Sequence, residues 1–405
     1  MTTPIILFSD HPAAPTGLAR ITRDFATMIH HHLRDEFRVA TLGYGHPGSS
    51  KLKFPQYQWR ERADFLPLEL PSIWSEFCGD DAGILLTIGD IQRFLELSDP
   101  ALCRDKPFSR WMEQMRGLGK LKLWGYFPLD AHSVGCKLGP ELGHTLSHYD
   151  RRLVPSDWAR EIIKKTLPNH SCDVIPHGID TDIFYPRPTD EHLGDFFGAT
   201  RSCRRWPQQD KGAWQVGDAL KIGIVATNQP RKDWGLAIEI VAELKKTRPV
   251  FLWAHTDRQK TEQGWAMMEL LSDFNLLGSS VLTIGNMSDE QMAICYSAMD
   301  LTLGIGRGEG WGYPMAESMA CGTPVLTGDY GAQIDYVPTL MQIPAKYLRI
   351  EGPLNLYRPV HDPKEWARAA IEWEGQRYSY SVLPKEFEWK AVWPRFVSWL
   401  REGVR

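Results

Sequence analysis

The chain has no Cys-x-x-Cys pair, and its seven cysteines (Cys78, Cys103, Cys136, Cys172, Cys203, Cys295 and Cys321) are scattered and odd in number. That excludes a disulfide frame and a cysteine-based zinc site, and it predicts reduced thiols in a cytoplasmic protein. No run of about eighteen apolar residues occurs, so a membrane-spanning helix is not expected. The opening stretch from Thr2 to Phe8 has no basic flank before its short apolar patch, which argues against a signal peptide. Charge of one sign is also missing. Lys and Arg total 46 against 50 Asp and Glu, for a net charge of −4, and no long basic block stands out. Binding driven mainly by a phosphate backbone is therefore disfavoured, although a local basic groove stays open. There is no short repeat and no low-complexity tract. What is abundant is tryptophan, sixteen in all, as core packing or as a platform for a sugar or base.

At 405 residues the chain exceeds one ordinary core and predicts two domains. The first half alternates short apolar runs with helical periodicity. Strands are expected at 5–8, 38–42, 83–88, 122–127 and 152–155, and helices at 18–33, 109–117 and 157–166. A second series begins at 219, with strands at 219–226, 250–253, 281–284, 301–303 and 325–327. Helices at 234–247, 262–275 and 289–298 lie between them. Two such series predict two doubly wound α/β domains. Between them, 186–218 is rich in Pro, Asp, Arg and Gly and reads as a linker with a small insertion. The expected division is 1–185, 186–218 and 219–385, followed by a last helix within 386–405. The run His30-His31-His32 lies near a helix end and reads as a solvated face, since consecutive residues point in different directions.

The most informative segment runs from Gly304 to Val325: Gly-Ile-Gly-Arg-Gly-Glu-Gly-Trp-Gly-Tyr-Pro-Met-Ala-Glu-Ser-Met-Ala-Cys-Gly-Thr-Pro-Val. A glycine-rich turn carrying Glu309 feeds a helix that carries Glu317. Glycines let a backbone approach a ligand closely, and a helix N-terminus favours anionic or hydroxyl-rich groups. Two acids spaced by seven residues can both face one bound molecule. Equally, such a turn can simply cap a core helix. The segment resembles the E-x7-E signature of the family 4 retaining glycosyltransferases. Three further stretches fit that family in order: Leu153 to Ala159 (its V-x-P-S turn), Val174 to Pro186 (its I-P-N-G-V-D segment, with His177 for the Asn), and Met287 to Asp300.

The resemblance implies a GT-B fold, two Rossmann-like domains facing a central cleft, with the last helix packing back on the first domain. It implies a hexose moved from a nucleotide-diphosphate sugar to an acceptor hydroxyl with retained configuration, the departing phosphate acting as base. UDP-glucose is the favoured donor and GDP-mannose the second. No added cofactor or metal is expected, because no Asp-x-Asp stands in a metal-binding context. Arg231 and Lys232 would take the diphosphate charge with the amide of Gly17. Glu309, Gly310, Trp311, Gly312 and Tyr313 would hold the sugar, and Glu317 the ribose. After the central strand, Asp130 and His132 fall where the family places a group near the anomeric carbon, and each could instead cap a turn. Asp90 is the candidate for the acceptor.

Two stretches depart from the pattern. Thr227 stands where an arginine is usual, with Arg231 moved beside Lys232, and Phe251 to Asp257 lacks the usual glycines. The acceptor is left open among a glycan, a small molecule and a hydroxymethylated DNA base. The last is suggested by similarity of Ser9 to Gly17 to family members encoded by bacterial viruses. No basic amphipathic helix in the first domain suits a membrane-bound lipid acceptor. Competing readings are a non-catalytic sugar-nucleotide sensor, should Thr227 cripple the phosphate site, and a nucleotide-sugar epimerase, a class of similar shape that lacks the glycine turn.

Overall fold

The computed structural model describes residues 2–45, 51–59, 66–188 and 218–404. Most of the expected linker, 186–218, lies outside these residues, as does Cys203. Two compact units emerge, Met1–Ile175 and Pro176–Val404. The division comes ten residues before the expected boundary at 185. The cause is packing: Ile179 and Phe184 are fully buried in the second unit's core. Backbone bonds from Ile179 N–H to Phe387 O (2.9 Å) and from Trp389 N–H to Ile179 O (3.1 Å) tie the same segment to the chain's last part.

The first unit runs β1 (Thr3–Asp10), α1 (Gly17–His32), β2 (Phe37–Tyr44), β3 (Gln56–Trp59), α2 (Leu70–Cys78), β4 (Gly83–Ile88), α3 (Leu95–Ser98), α4 (Lys106–Gly117), β5 (Leu121–Tyr126), α5 (Pro140–Ser147), β6 (Arg151–Val154), α6 (Asp157–Thr166) and β7 (Asp173–Val174). Its sheet is wholly parallel, in the order β3-β2-β1-β4-β5-β6-β7. Ile5, Ile6, Leu7, Leu85 and Leu86 are fully buried, as expected for central strands covered on both faces. Thr16 and Ser156 start α1 and α6 by accepting the N–H groups of Ala19 and Ala159.

The second unit runs β8 (Leu220–Val225), α7 (Trp234–Lys245), β9 (Val250–Thr256), α8 (Met267–Asp273), β10 (Ser280–Ile284), α9 (Asp289–Ala298), β11 (Leu301–Gly304), α10 (Tyr313–Ala320), β12 (Val325–Gly328), β13 (Gln342–Ile343), β14 (Tyr347–Glu351), β15 (Leu356–Val360), α11 (Pro363–Glu372) and α12 (Trp389–Val404). Its main sheet, β10-β9-β8-β11-β12-β13, is parallel and repeats the winding of the first. β14 and β15 form a separate antiparallel hairpin. In both units the order reverses beside the first strand, between β1 and β4 and between β8 and β11. Doubly wound sheets bind ligands at that reversal, beyond the carboxyl ends of the strands.

Among the described residues, no helix is long and apolar enough to cross a membrane.

Candidate active site

The reversal in the second unit brings together two loops distant in sequence. One follows β8 and contains a short 3-10 turn, Pro230–Lys232. The other follows β11 and carries the glycine-rich turn. Backbone and side chain clasp them in both directions. Arg307 N–H donates to Arg231 O at 2.8 Å, and Arg231 Nη1 donates to Gly308 O at 2.6 Å. Arg307 also bonds Glu351 at 2.6 Å and Pro230 O at 3.3 Å.

Glu309 stands at the centre. Lys232 Nζ lies 2.5 and 2.7 Å from its two oxygens, and Arg231 Nη1 lies 3.2 Å from Oε2. Burial alone would raise the carboxyl's pKa, but Lys232 and Arg231 outweigh it and bring it down to about 2. Glu309 is therefore an anion at any working pH. Two cations thus converge on this one carboxylate. Gly306 is required here, since a Cβ at that position would sit 2.2 Å from Glu309 Oε1.

The rest of the turn is fixed by aromatic packing. Gly312 has φ of +95° and precedes α10; a Cβ there would meet Met315 Cε at 2.2 Å. The hydroxyl of Tyr336 lies 2.9 Å from Trp311 O and 2.8 Å from Gly312 O. Trp311 is buried against Tyr336 and Phe387, with centroids 4.8 and 5.4 Å apart. Tyr313 stacks on His177 at 5.2 Å and 26°, and His177 also approaches Trp311 at 5.4 Å. The residue that departs from the family's Asn is thus a buried ring beneath the glycine turn.

Glu317 follows on the helix itself. It is buried within α10 and accepts a bond from Tyr296 Oη of α9 at 3.1 Å. Glu309, Arg231 and Lys232 are gathered on shared bonds, and the Tyr296 bond ties Glu317 to the neighbouring helix. Gly310 lies between Glu309 and Trp311 on the same turn. Thr227 contributes its carbonyl, which accepts Trp234 Nε1 at 3.3 Å.

In the first unit, Gly17 is the first residue of α1, and a Cβ there would meet nothing within 4 Å. No internal packing therefore calls for glycine at this position. Asp10 ends β1, accepts Thr16 Oγ1 at 2.6 Å and accepts Arg93 Nη1 at 2.7 Å. Arg93 Nε also faces Asp90 at 3.7 Å. Asp90 is thus joined through Arg93 and Asp10 to the loop entering α1, all at the reversal between β1 and β4. Asp130 and His132 lie in the loop after β5. His132 is buried, tilted against Trp158, with Nδ1 2.9 Å from Ser133 O. A carbonyl only accepts, so Nδ1 is the donor in this contact.

Residues 208–339 match the family model for glycosyl transferases group 1. That is about a third of the chain, and it spans both loops of the Glu309 pocket. The match supports a glycosyltransferase. Solved structures agree on the fold over almost the whole length. Sucrose-phosphate synthase from Thermosynechococcus elongatus aligns at TM-score 0.67 and 16% identity, covering 99% of this chain and 98% of that one. A glycosyltransferase from Rickettsia africae aligns at 0.67 and 11%, covering 100% and 99%. HepE from Anabaena, solved in complex with UDP-glucose, aligns at 0.62 and 14%, covering 98% and 99%. No curated protein matches the sequence. The glycosyltransferase fold here is GT-B, built from two Rossmann-like parallel-sheet units.

Sequence reading missed several supports of this site. Tyr296, Tyr336 and Phe387 lie well outside the glycine turn in sequence and look like ordinary core aromatics. Asp10 and Thr16 bracket the loop that was read for Gly17, and their shared proton is a product of folding. Burial pushes the thiols of Cys78, Cys172 and Cys321 up to about 12, which makes these three poor nucleophiles.

Proposed function

We propose that the protein is a retaining hexosyltransferase that uses a nucleotide-diphosphate sugar, UDP-glucose in first place and GDP-mannose in second. One observation carries this reading. Two cations and one carboxylate with its pKa near 2 converge at the strand-order reversal of the unit that matches the group 1 family. A leaving diphosphate needs preorganised positive charge, and Lys232 with Arg231 supplies it. The amide of Gly17 is assigned to the donor phosphates. Glu309, with the backbone of Gly310, Trp311 and Gly312 and the ring of Tyr313, orients the sugar hydroxyls. Glu317 takes the ribose. Asp130 and His132 act near the anomeric carbon, and Asp90 receives the acceptor. The similarity to a structure solved with UDP-glucose favours that donor.

The acceptor is a glycan, a small molecule or a hydroxymethylated DNA base, and the reaction takes place in the cytoplasm. Thr227 in place of an arginine favours one rival, a sensor that binds the sugar nucleotide without turning it over. Incubation with UDP-glucose, GDP-mannose and ADP-glucose in the absence of acceptor separates the two. Slow release of nucleotide and free hexose from one donor, with α-anomer retained at first appearance, supports the enzyme. Tight binding without release supports the sensor, and neither binding nor release refutes both. A salt-dependent gel shift with hydroxymethylated duplex DNA then tests the DNA acceptor against the others.

A further inference from the structure

We propose that Asp99, His144 and His148 form a binding site for one divalent transition-metal ion, zinc by its chemistry, in the first unit. Three elements of sequence and fold bring them together. His144 lies in α5 and His148 caps its end, four residues later, so both rings project from the same face. Asp99 caps α3 and is 2% exposed. Its Oδ1 accepts the N–H of Ala101 at 2.8 Å, which fixes the carboxylate's orientation.

Each of the three residues offers one donor atom, and these lie within 4.8 Å of one another. His144 Nε2 is 3.1 Å from Asp99 Oδ2, His148 Nε2 is 3.8 Å from Asp99 Oδ1, and the two Nε2 atoms are 3.4 Å apart. A tetrahedral zinc ion with bonds of about 2.0–2.1 Å places its ligands about 3.3 Å from one another. The observed separations bracket that value. Two imidazoles and one carboxylate are also the borderline donor set that suits zinc and its neighbours better than calcium or magnesium.

A second observation points to a ligand at the same place. His148 lines a cavity of about 330 Å³ together with Ser98, Pro100, Cys103, Met112 and Arg116. The fourth coordination position can open onto this space and hold water, the arrangement of three protein ligands plus solvent. Other candidate ligands nearby are already engaged. Glu96 bonds Arg104 at 2.7 Å, and Cys103 Sγ bonds Asp105 O at 3.3 Å. The ion would clamp the end of α3 to the end of α5. It lies outside the residues proposed for sugar transfer, so it stands or falls separately from that reading.

The test uses untagged full-length protein, stripped with chelator and dialysed, then titrated with Co²⁺ and afterwards Zn²⁺. One equivalent of Co²⁺ is expected to give the visible d–d absorption of a tetrahedral site, displaced by Zn²⁺, and Zn²⁺ is expected to raise the melting temperature by several degrees. His144→Ala and His148→Ala should each weaken binding at least about tenfold. His144 is 60% exposed, so its replacement leaves the fold intact, as unchanged circular dichroism would verify. A triple His30→Ala, His31→Ala, His32→Ala variant should bind as the wild type does. Binding that survives both single variants, or vanishes with the triple one, overturns the site. So does a sulfur-to-cobalt charge-transfer band, which would move the ion to cysteine.

Discussion

Lys232 Nζ reaches both oxygens of Glu309, at 2.5 and 2.7 Å, while Arg231 holds one of them at 3.2 Å. The two cations are thus partly neutralised by Glu309 itself. On the proposed reading, an incoming diphosphate would compete with Glu309 for these cations, and the displaced carboxylate would then be available to hydroxyl donors on the sugar. This exchange makes binding and transfer separable by mutation.

Glu309→Gln removes the competing charge at constant shape. It is expected to bind UDP as tightly as the wild type or more tightly, while transfer and donor hydrolysis fall by about 100-fold or more. Lys232→Ala should weaken UDP binding by about 2–3 kcal/mol, the usual worth of a charged hydrogen bond. Calorimetry with UDP and turnover assays check both. Wild-type turnover by Glu309→Gln would refute the role given to this acid.

The same ion pair makes stability depend on pH. Glu309 has a folded pKa of about 2 against an unfolded value of 4.5. The native state therefore binds fewer protons, and the stabilisation is complete above about 4.5 and disappears as pH falls toward 2. A shift of this size corresponds to about 3 kcal/mol. Urea unfolding at pH 7, 5, 4 and 3 should show a shallower acid loss for Glu309→Gln. Parallel curves for the two proteins would sink the assignment.

His255 gives a second acid transition at higher pH. Burial is the main cause that lowers its pKa to about 4, with Asp257 opposing, and Nδ1 lies 2.8 Å from Thr283 Oγ1. Because the folded value is below the unfolded 6.5, stability is complete above 6.5 and falls as pH drops to 4. The loss amounts to about 3 kcal/mol. His255→Gln should flatten the wild-type decline in this window. Its curve at pH 3–4 should still fall, because Glu309 remains.

Much of this architecture was legible in the sequence, because parallel strands buried on both faces are short apolar runs bounded by turns. Gly83–Ile88, Asp157–Thr166 and Asp289–Ala298 occur where periodicity places them. The elements not read have weak local signals. β3 is a four-residue edge strand, Gln-Tyr-Gln-Trp, without an apolar run. β14 is mostly exposed, so its pattern records solvent and not a core. α2 carries Pro71 as its second residue and few charges to mark its outer face. In the site, the Glu309 turn announced itself through its glycines. Its pairing with Lys232 across 77 positions could not be seen, because it arises from the crossover between β8 and β11. The bond between Tyr296 and Glu317 is likewise a matter of helix packing between α9 and α10.

Gly306→Ala tests whether the turn holds Glu309 by close contact. The new methyl group would fall 2.2 Å from Oε1, and that carboxylate is pinned by Lys232 and Arg231, so it cannot yield cheaply. Overpacking of this kind costs about 1–3 kcal/mol. Transfer should drop by at least about tenfold, because small displacements of a positioning group are costly. A variant with wild-type stability and activity would show that the turn is looser than its geometry implies.

Tyr336→Phe addresses the other end of the same turn. Its hydroxyl serves the carbonyls of Trp311 and Gly312, and it is fully buried among Trp311 and Phe387. Burial raises its pKa far above the ordinary value, with Glu309 and Glu317 adding to the effect, so the group stays a neutral donor throughout the working range. Phenylalanine keeps the packing and removes the donor, leaving two carbonyls at the entrance to α10 without it. The expected destabilisation is about 1–3 kcal/mol, read from urea midpoints at pH 7. If Tyr336 only supports the turn, KM for the donor should rise more than kcat falls, since the sugar-binding amides lose their fixed direction while Glu309 keeps its cations. A fall confined to kcat would instead place the hydroxyl in the chemical step and contradict the supporting role.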